Sequence, residues 1–325
     1  MTFPFNFFLA AFAGAFLTTL LALPLWRKWC LRINLVDDPG QRKIHESPIP
    51  LAGGLAVLTG ILLPLLAGAL ALELGWTKIS FTSLIEHGLE RRSTELAVIA
   101  FGAVAITFLG WLDDKYELKP LPKFAGQFFI ALLVAVANVR ITLFVANPVF
   151  SYAITILWLL TLINAFNFMD NMNGLCAGLG AIGAFLFGVI AAADGQYLVA
   201  IIALLTCGAL IGFLPWNFPH ARAFLGDAGS HLVGYLLAVL AILPHFYTKQ
   251  NPNPLAVISP LLVLAVPLLD IAQVSLFRTF NKKPFWVGDT NHLSHQLARR
   301  GLSRTHAVLL LWLVAALIGA ITCWL

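Results

Sequence analysis

Hydrophobic residues in this chain run on without interruption, instead of alternating with polar ones at the period of a half-buried strand or an amphipathic helix. Ten such stretches stand out, at residues 4–25, 51–74, 95–112, 124–139, 151–168, 175–193, 197–214, 229–246, 255–277 and 306–325. A helix needs roughly 20 apolar residues to cross the hydrocarbon core of a bilayer, and most of the ten approach that length. The fourth is short and starts beside Lys123. The longest polar connections fall at 25–45, 75–94 and 278–305. No repeat, low-complexity tract or separate polar domain breaks the series, so residues 1–325 read as one transmembrane domain.

Composition identifies the solvent. Of the 325 residues 60% are hydrophobic and 11% charged, and the mean hydropathy is +0.88. Soluble domains carry about 25% charged residues. Inside lipid every backbone polar group must be satisfied within the protein, which leaves helices or a closed barrel. A barrel would show short alternating segments. The pattern therefore predicts an all-α, polytopic integral membrane protein with about ten transmembrane helices. The first run has no basic residue before Arg27, so it lacks the charged start of a cleaved signal peptide and is read as the first span.

Charge suggests the orientation. With the N-terminus outside, the odd-numbered connections hold fifteen of the 20 Lys and Arg, among them Arg27, Arg42, Lys43, Lys115, Lys123, Arg222 and six from Arg278 to Arg304. The positive-inside rule then places both termini outside and the odd connections in the cytoplasm. The net charge of +5 reports this loop bias. No basic stretch is interleaved with aromatics, so no nucleic-acid partner is expected. The four cysteines, Cys30, Cys176, Cys207 and Cys323, share no pairing pattern and read as small apolar residues.

The polar residues that interrupt the apolar runs gather on that same side. Asp113 and Asp114 adjoin at the end of the third stretch, in GWLDDKYELKPLPKFAGQ. A carboxylate at the centre of a membrane helix costs about 2.5–3.5 kcal/mol, and less at an end. Two adjacent carboxylates repel unless a proton or cation lies between them, and both oppose the dipole at a helix C-terminus. Mg²⁺, a hard cation that shares its shell between carboxylates and phosphates, is the natural offset. Asn164, Asn167 and Asp170 are spaced i, i+3, i+6 and form one polar face at the inner end of the fifth stretch. Asn173 extends the series, next to the helix breaker Gly174. Hydrogen bonding between helices is the plain alternative for that face. Asp227 opens the eighth stretch, in FLGDAGSHLVG, where capping a helix is an equally ordinary role.

His292 and His295 lie in GDTNHLSHQL near Arg299, Arg300 and Arg304. No Cys or third His stands at zinc-ligand spacing, so phosphate binding is the better reading. Asp270, in PLLVLAVPLLDIAQVSLFR, reads as a structural partner of Gln273 or Arg278. The first connection reads DDPGQRKIHESPIPLAGG. There Arg42, Lys43 and His45 precede Pro48 and Pro50, which stiffen it, and Gly53-Gly54, which permit close backbone approach. Asp and Asn side chains with Arg, Lys and His at one membrane face suit phosphate chemistry on a lipid. No Walker loop or GxGxxG is present.

Five of these segments, in this order, resemble the bacterial polyprenyl-phosphate N-acetylhexosamine-1-phosphate transferases. They are RKxHxxPxPxxGG at Arg42–Gly54, DDxxxL at Asp113–Leu118, NxxNxxD at Asn164–Asp170, GDxGS at Gly226–Ser230 and the His loop at His292–His295. That group includes the UDP-GlcNAc:undecaprenyl-phosphate enzymes of O-antigen and teichoic-acid synthesis and, more distantly, the phospho-MurNAc-pentapeptide translocase. The likeness covers roughly residues 35–300. It implies transfer of an N-acetylhexosamine-1-phosphate, foremost GlcNAc-1-phosphate, from a UDP-sugar to undecaprenyl phosphate. UMP would be released at the cytoplasmic face of a bacterial inner membrane, initiating a lipid-linked envelope glycan. It further implies that Asp227 holds Mg²⁺, with Mn²⁺ as an alternative, on the pyrophosphate. Asp113 or Asp114 would orient or deprotonate the lipid phosphate, and Asp170 and His292 complete the catalytic candidates. Arg42, His45, Lys123, Asn164, Asn167, Asn173, Asn217, Phe224 and His295 are the substrate-binding candidates, with Phe224 stacking on uracil. A homodimer is compatible with the resemblance.

The chain departs from the family pattern at three positions. Asn171 and Asn173 replace the Gly and second Asp of DGxDGL, and Ser294 interrupts HxHH. A transporter or flippase is the rival of another class, but it predicts mid-membrane carboxylates and matching halves. Here the carboxylates cluster at one face and no halves match. An inactive scaffold of the same family draws its support from Asn173 and Ser294 alone, against the retained Asp113, Asp114, Asp170 and Asp227.

Overall fold

The structure, a computed structural model, describes residues 4–38, 47–74, 92–142, 145–246, 253–282, 284 and 291–325. Each of the ten apolar stretches contains a helix. Helix α1 is Phe5–Arg32, followed by a two-residue antiparallel ladder of β1 (Val36–Asp37) and β2 (Ile49–Pro50), with Val36 opposite Pro50. Then come α2 (Gly53–Glu73), α3 (Ser93–Tyr116), α4 (Pro120–Val136), α5 (Pro148–Met169), α6 (Leu175–Ala193), α7 (Tyr197–Asn217) and α8 (Gly226–Leu240). A 3₁₀ turn at Pro254–Ile258 leads into α9 (Ser259–Val263) and α10 (Ala265–Phe280); α11 (Leu293–Arg299) and α12 (Arg304–Ala320) close the chain.

Among the described residues, seven helices are long and apolar enough to cross a membrane by themselves: α1, α2, α3, α5, α6, α7 and α12 with its 3₁₀ tail. The ninth stretch is not one straight span, because its two halves meet at 69° around Leu264. Pro267 explains the break: it has no N–H to give the carbonyl of Val263 four residues earlier. Leu21, Leu25, Leu66, Phe129 and Leu317 stand exposed on the outer faces, as lipid contact requires.

Helix α8 is the centre of the bundle. It packs against α2, α3, α5 and α6, and every residue in it except Asp227 is buried. Its 15 residues rise about 22 Å, less than a bilayer core of about 30 Å. Such a helix can be short because protein rather than lipid surrounds it and meets the polar groups at its ends.

Three glycines let its first turn be gripped. A Cβ on Gly54 would lie 2.4 Å from the nitrogen of Gly229, and one on Gly53 would lie 2.8 Å from the Cα of Leu225. From the other side, a Cβ on Gly110 of α3 would lie 2.5 Å from the Cα of Ala228. The backbone N–H groups of Gly53 and Gly54 donate to the carbonyls of Phe224 and Leu225 at 2.9 and 3.0 Å. The close backbone approach expected of Gly53-Gly54 is thus an approach to the segment that carries Asp227.

Candidate active site

A cavity of about 1960 Å³ opens at the end of the bundle where α8 begins. Its wall comes from the first, third, fifth, seventh and ninth connections and the helix ends that flank them. These are the connections that the Lys and Arg excess singles out. Asp113, Asp114, Lys123, Asn164, Asn167 and Asp170 line it, as do Asn173, Asn217, Phe224, Asp227 and His295. Arg42 and His45 lie outside the described residues.

The adjacent aspartates do different work, because one helical step turns their side chains apart. Asp114 faces α8. Its two oxygens accept the backbone N–H groups of Asp227 at 2.7 Å and Ala228 at 3.0 Å, capping α8 from a different helix. Gly226 makes room for this: it has φ +71°, and a Cβ there would lie 2.7 Å from Asp114 Oδ2. Asp113 faces α4. Its Oδ1 accepts the N–H of Leu118 at 2.8 Å, and its Oδ2 is 2.6 Å from Lys123 Nζ. Lys123 sits in the first turn of α4, which Pro120 opens at a position where a missing N–H does no harm. The same ammonium reaches Asp227 Oδ2 at 2.6 Å, so one cation on α4 bridges carboxylates from two other helices, α3 and α8.

The asparagine face of α5 completes the centre. Asn167 donates to Asp227 Oδ1 at 2.8 Å and to Ser230 Oγ at 3.0 Å. Asn164 donates to Gln127 Oε1 at 2.8 Å. Helix α5 ends at Met169, so the regular spacing stops there, and Asp170 is the residue that terminates the helix. Asn173 stands in the following turn, where it donates to the carbonyl of Pro219 at 3.0 Å. Asn217 is buried and braces two loops, accepting from Gly174 N–H at 2.6 Å and donating to the carbonyl of Ala223 at 3.0 Å.

The histidines divide as well. His295 is on the cavity wall with Arg304. Burial holds the His295 imidazole below its ordinary value, and the neighbouring His292, Arg304 and Arg299 act in the same direction. His292 is buried one step behind the wall; its Nδ1 is 2.7 Å from Asp270 Oδ2 and its ring makes a T-shaped contact with that of Phe168. Sequence reasoning gave Asp270 to Gln273 or Arg278. Its Oδ2 meets His292 instead, 22 residues further along the chain and past the end of α10.

Among the described residues the wall carries seven carboxylates against two lysines and one arginine. That excess of negative charge is felt at Asp170. Burial first, then the charges of Asp227, Asp114 and Asp37, push its carboxyl from 3.8 up to about 8, while the backbone of Gly226 pulls the other way. A carboxyl whose folded value is raised contributes stability that is full below its unfolded value and lost as pH rises through its folded value. The melting temperature of the cation-free protein is therefore expected to fall from roughly pH 4 to pH 8. Asp170→Asn should flatten that slope. Equal slopes in the two proteins would contradict the assignment.

The oxygen-rich donor set fits a hard divalent cation. Among the described residues no three acidic, His or Cys groups are arranged to hold a metal by themselves. An ion here would take its remaining ligands from phosphate and water, as Mg²⁺ commonly does.

Comparison with known proteins gives the family. Residues 96–245 match the model of glycosyl transferase family 4. The chain is 30% identical over 97% of its length, and 86% of the relative's, to the probable undecaprenyl-phosphate N-acetylglucosaminyl 1-phosphate transferase of Bacillus subtilis (strain 168). It is 32% identical to the decaprenyl-phosphate N-acetylglucosaminephosphotransferase of Mycobacterium leprae, over 89% of this chain and 76% of that one. It is 29% identical to the undecaprenyl-phosphate alpha-N-acetylglucosaminyl 1-phosphate transferase of Escherichia coli K12, over 94% and 80%. With a matched core at 96–245 and a relative aligned along nearly its whole length, the chain belongs to glycosyl transferase family 4.

Proposed function

We propose that this protein transfers GlcNAc-1-phosphate from UDP-GlcNAc to a polyprenyl phosphate, undecaprenyl phosphate foremost, and releases UMP. One observation carries the reading: the ammonium of Lys123 bridges Asp113 and Asp227 at the floor of the cavity where the five motif segments meet. The names of the relatives support the same donor group and acceptor class.

In the proposed reaction an oxygen of the lipid phosphate attacks the β-phosphorus of the UDP-sugar. A new P–O bond forms there, the bond from the β-phosphorus to the bridging oxygen breaks, and UMP leaves with that oxygen and its electron pair. The protein's part is positioning and charge stabilisation. Lys123 offers a fixed positive charge between two carboxylates, next to the phosphates. Asp113 lies across from Asp227 and orients the attacking lipid phosphate. Asn167 fixes the Asp227 carboxylate, and Asp114 fixes the turn that carries it. Mg²⁺ held by Asp227 would neutralise charge on the pyrophosphate. Phe224 and Asp170 line the nucleotide end of the cavity.

The side of the membrane follows from the same reading. UDP-sugars are cytoplasmic metabolites, so the cavity faces the cytoplasm of a bacterial inner membrane, in agreement with the charge bias of the odd connections.

UDP-GlcNAc labelled with ³²P in its β-phosphate tests the bond that breaks. The label is expected in the lipid product, with unlabelled UMP in the aqueous phase. Label recovered as UDP would mean transfer of the sugar alone and would overturn the proposal.

A further inference from the structure

Two of the three departures from the family pattern touch each other. Ser294 is fully buried, and its hydroxyl donates to Asn171 Oδ1 at 2.6 Å, across 123 residues of sequence. Asn171 in turn donates its amide to the carbonyl of Phe168 at 2.6 Å. The pair ties the start of α11 to the turn after α5, whose neighbours Asn167 and Asp170 belong to the site. A Gly at 171 would supply no acceptor, and an imidazole at 294 would need more room than a hydroxyl. The two changes therefore make sense together and not singly.

A second tie grips the same helix. Asp270 is fully buried, yet both of its oxygens are used: Oδ2 lies 2.7 Å from His292 Nδ1, and Oδ1 accepts Leu293 N–H at 2.7 Å. A carboxylate only accepts, so His292 Nδ1 carries a proton and donates it to Asp270. Phe168 touches both ties: its carbonyl accepts Asn171, its ring meets that of His292 in a T-shaped contact at 5.6 Å, and Arg278 lies 5.0 Å from the ring centre. Beyond them, His295 stands on the cavity wall, its ring 6.1 Å from that of His292.

We propose that Asp270 and the Asn171–Ser294 pair are positioning residues of the transfer reaction, fixing α11 so that His292 and His295 are held at the cavity. The inference rests on the reaction proposed above. It concerns orientation rather than substrate binding, so its variants should lower kcat and leave KM for UDP-GlcNAc and for the lipid within about twofold.

Asp270→Asn keeps the shape and one acceptor, but it presents an amide donor to His292 and so reverses the tautomer, as in the catalytic triad. UMP release by purified Asp270→Asn is expected to fall roughly tenfold or more in kcat. Ser294→Ala and Asn171→Ala should each lower kcat by roughly three- to tenfold. The double variant should be no worse than the poorer single, and Ser294→Thr, which keeps the hydroxyl, should retain most of the activity.

Should Asp270→Asn fail to fold, the 171/294 cycle and the Thr variant decide the question. A folded Asp270→Asn with unchanged kcat, or effects at 171 and 294 that simply multiply, would overturn the inference while the wild type remains active. A wild type that releases no UMP would overturn the proposed reaction, and this inference with it.

Discussion

Asp227→Asn is expected to cut UMP release by about a thousandfold while leaving the protein folded. Asparagine has the same shape, and α8 is capped by Asp114 through backbone groups that the substitution does not touch. What disappears is the charge. Asp227 Oδ2 meets Lys123 and Oδ1 meets Asn167, so the carboxylate is held on both oxygens before any substrate arrives. A neutral amide would leave Lys123 with Asp113 alone and remove the anionic oxygen proposed to carry the divalent cation. The loss should appear in kcat rather than in melting temperature. A variant that kept a tenth of wild-type turnover would mean that Asp227 only shapes the site.

The second large effect is expected far from any charged group. Gly54→Ala adds one methyl, but its carbon would be placed 2.4 Å from the backbone nitrogen of Gly229, where nothing flexible can yield. Overpacking of a rigid contact costs about 1–3 kcal/mol. Here the part that must move is the first turn of α8, which carries Asp227. A shift of about 1 Å at a reacting centre can cost a hundredfold in rate. Gly54→Ala should therefore lose activity by about that factor and melt several degrees lower. Gly68→Ala on the same helix is the control: a Cβ there meets nothing within 4 Å, so both measures should stay at wild-type values. Parallel losses in the two variants would show that α2 responds to any added side chain.

The helices were legible because lipid demands length more than pattern, and each of the ten apolar stretches holds one. Their ends were less so. Helix α8 begins at Gly226, within the GDAGS signal, but its cap is not Asp227: it comes from Asp114, more than 100 residues away. The break in the ninth stretch was written in Pro267, yet its 69° bend depends on how the two halves pack.

Within the site, residue types and spacing brought Asp113, Asp114, Asn164, Asn167, Asp170 and Asp227 to one cavity. Their division of labour was hidden. Which of two adjacent aspartates caps a helix and which meets Lys123 depends on the rotation of α3 against α8 and α4. The same holds for Asp270, whose partner His292 lies beyond a long polar connection, and for Asn171 and Ser294, which looked like two separate losses until their side chains were found in contact. Asn217 was expected at the nucleotide. Both ends of its amide are used on Gly174 and Ala223, so its visible work is to brace the loops around the cavity.

The central claim is phosphosugar transfer to a polyprenyl phosphate, and UMP release measures it most directly. Purified protein in detergent would be given undecaprenyl phosphate, Mg²⁺ and a panel of UDP-sugars, with Asp227→Asn alongside. UMP is expected with UDP-GlcNAc, only when the lipid phosphate is present, and at about a thousandth of the rate in the variant. Folded wild-type protein that releases no UMP from any sugar, or releases it equally without lipid, would contradict the account.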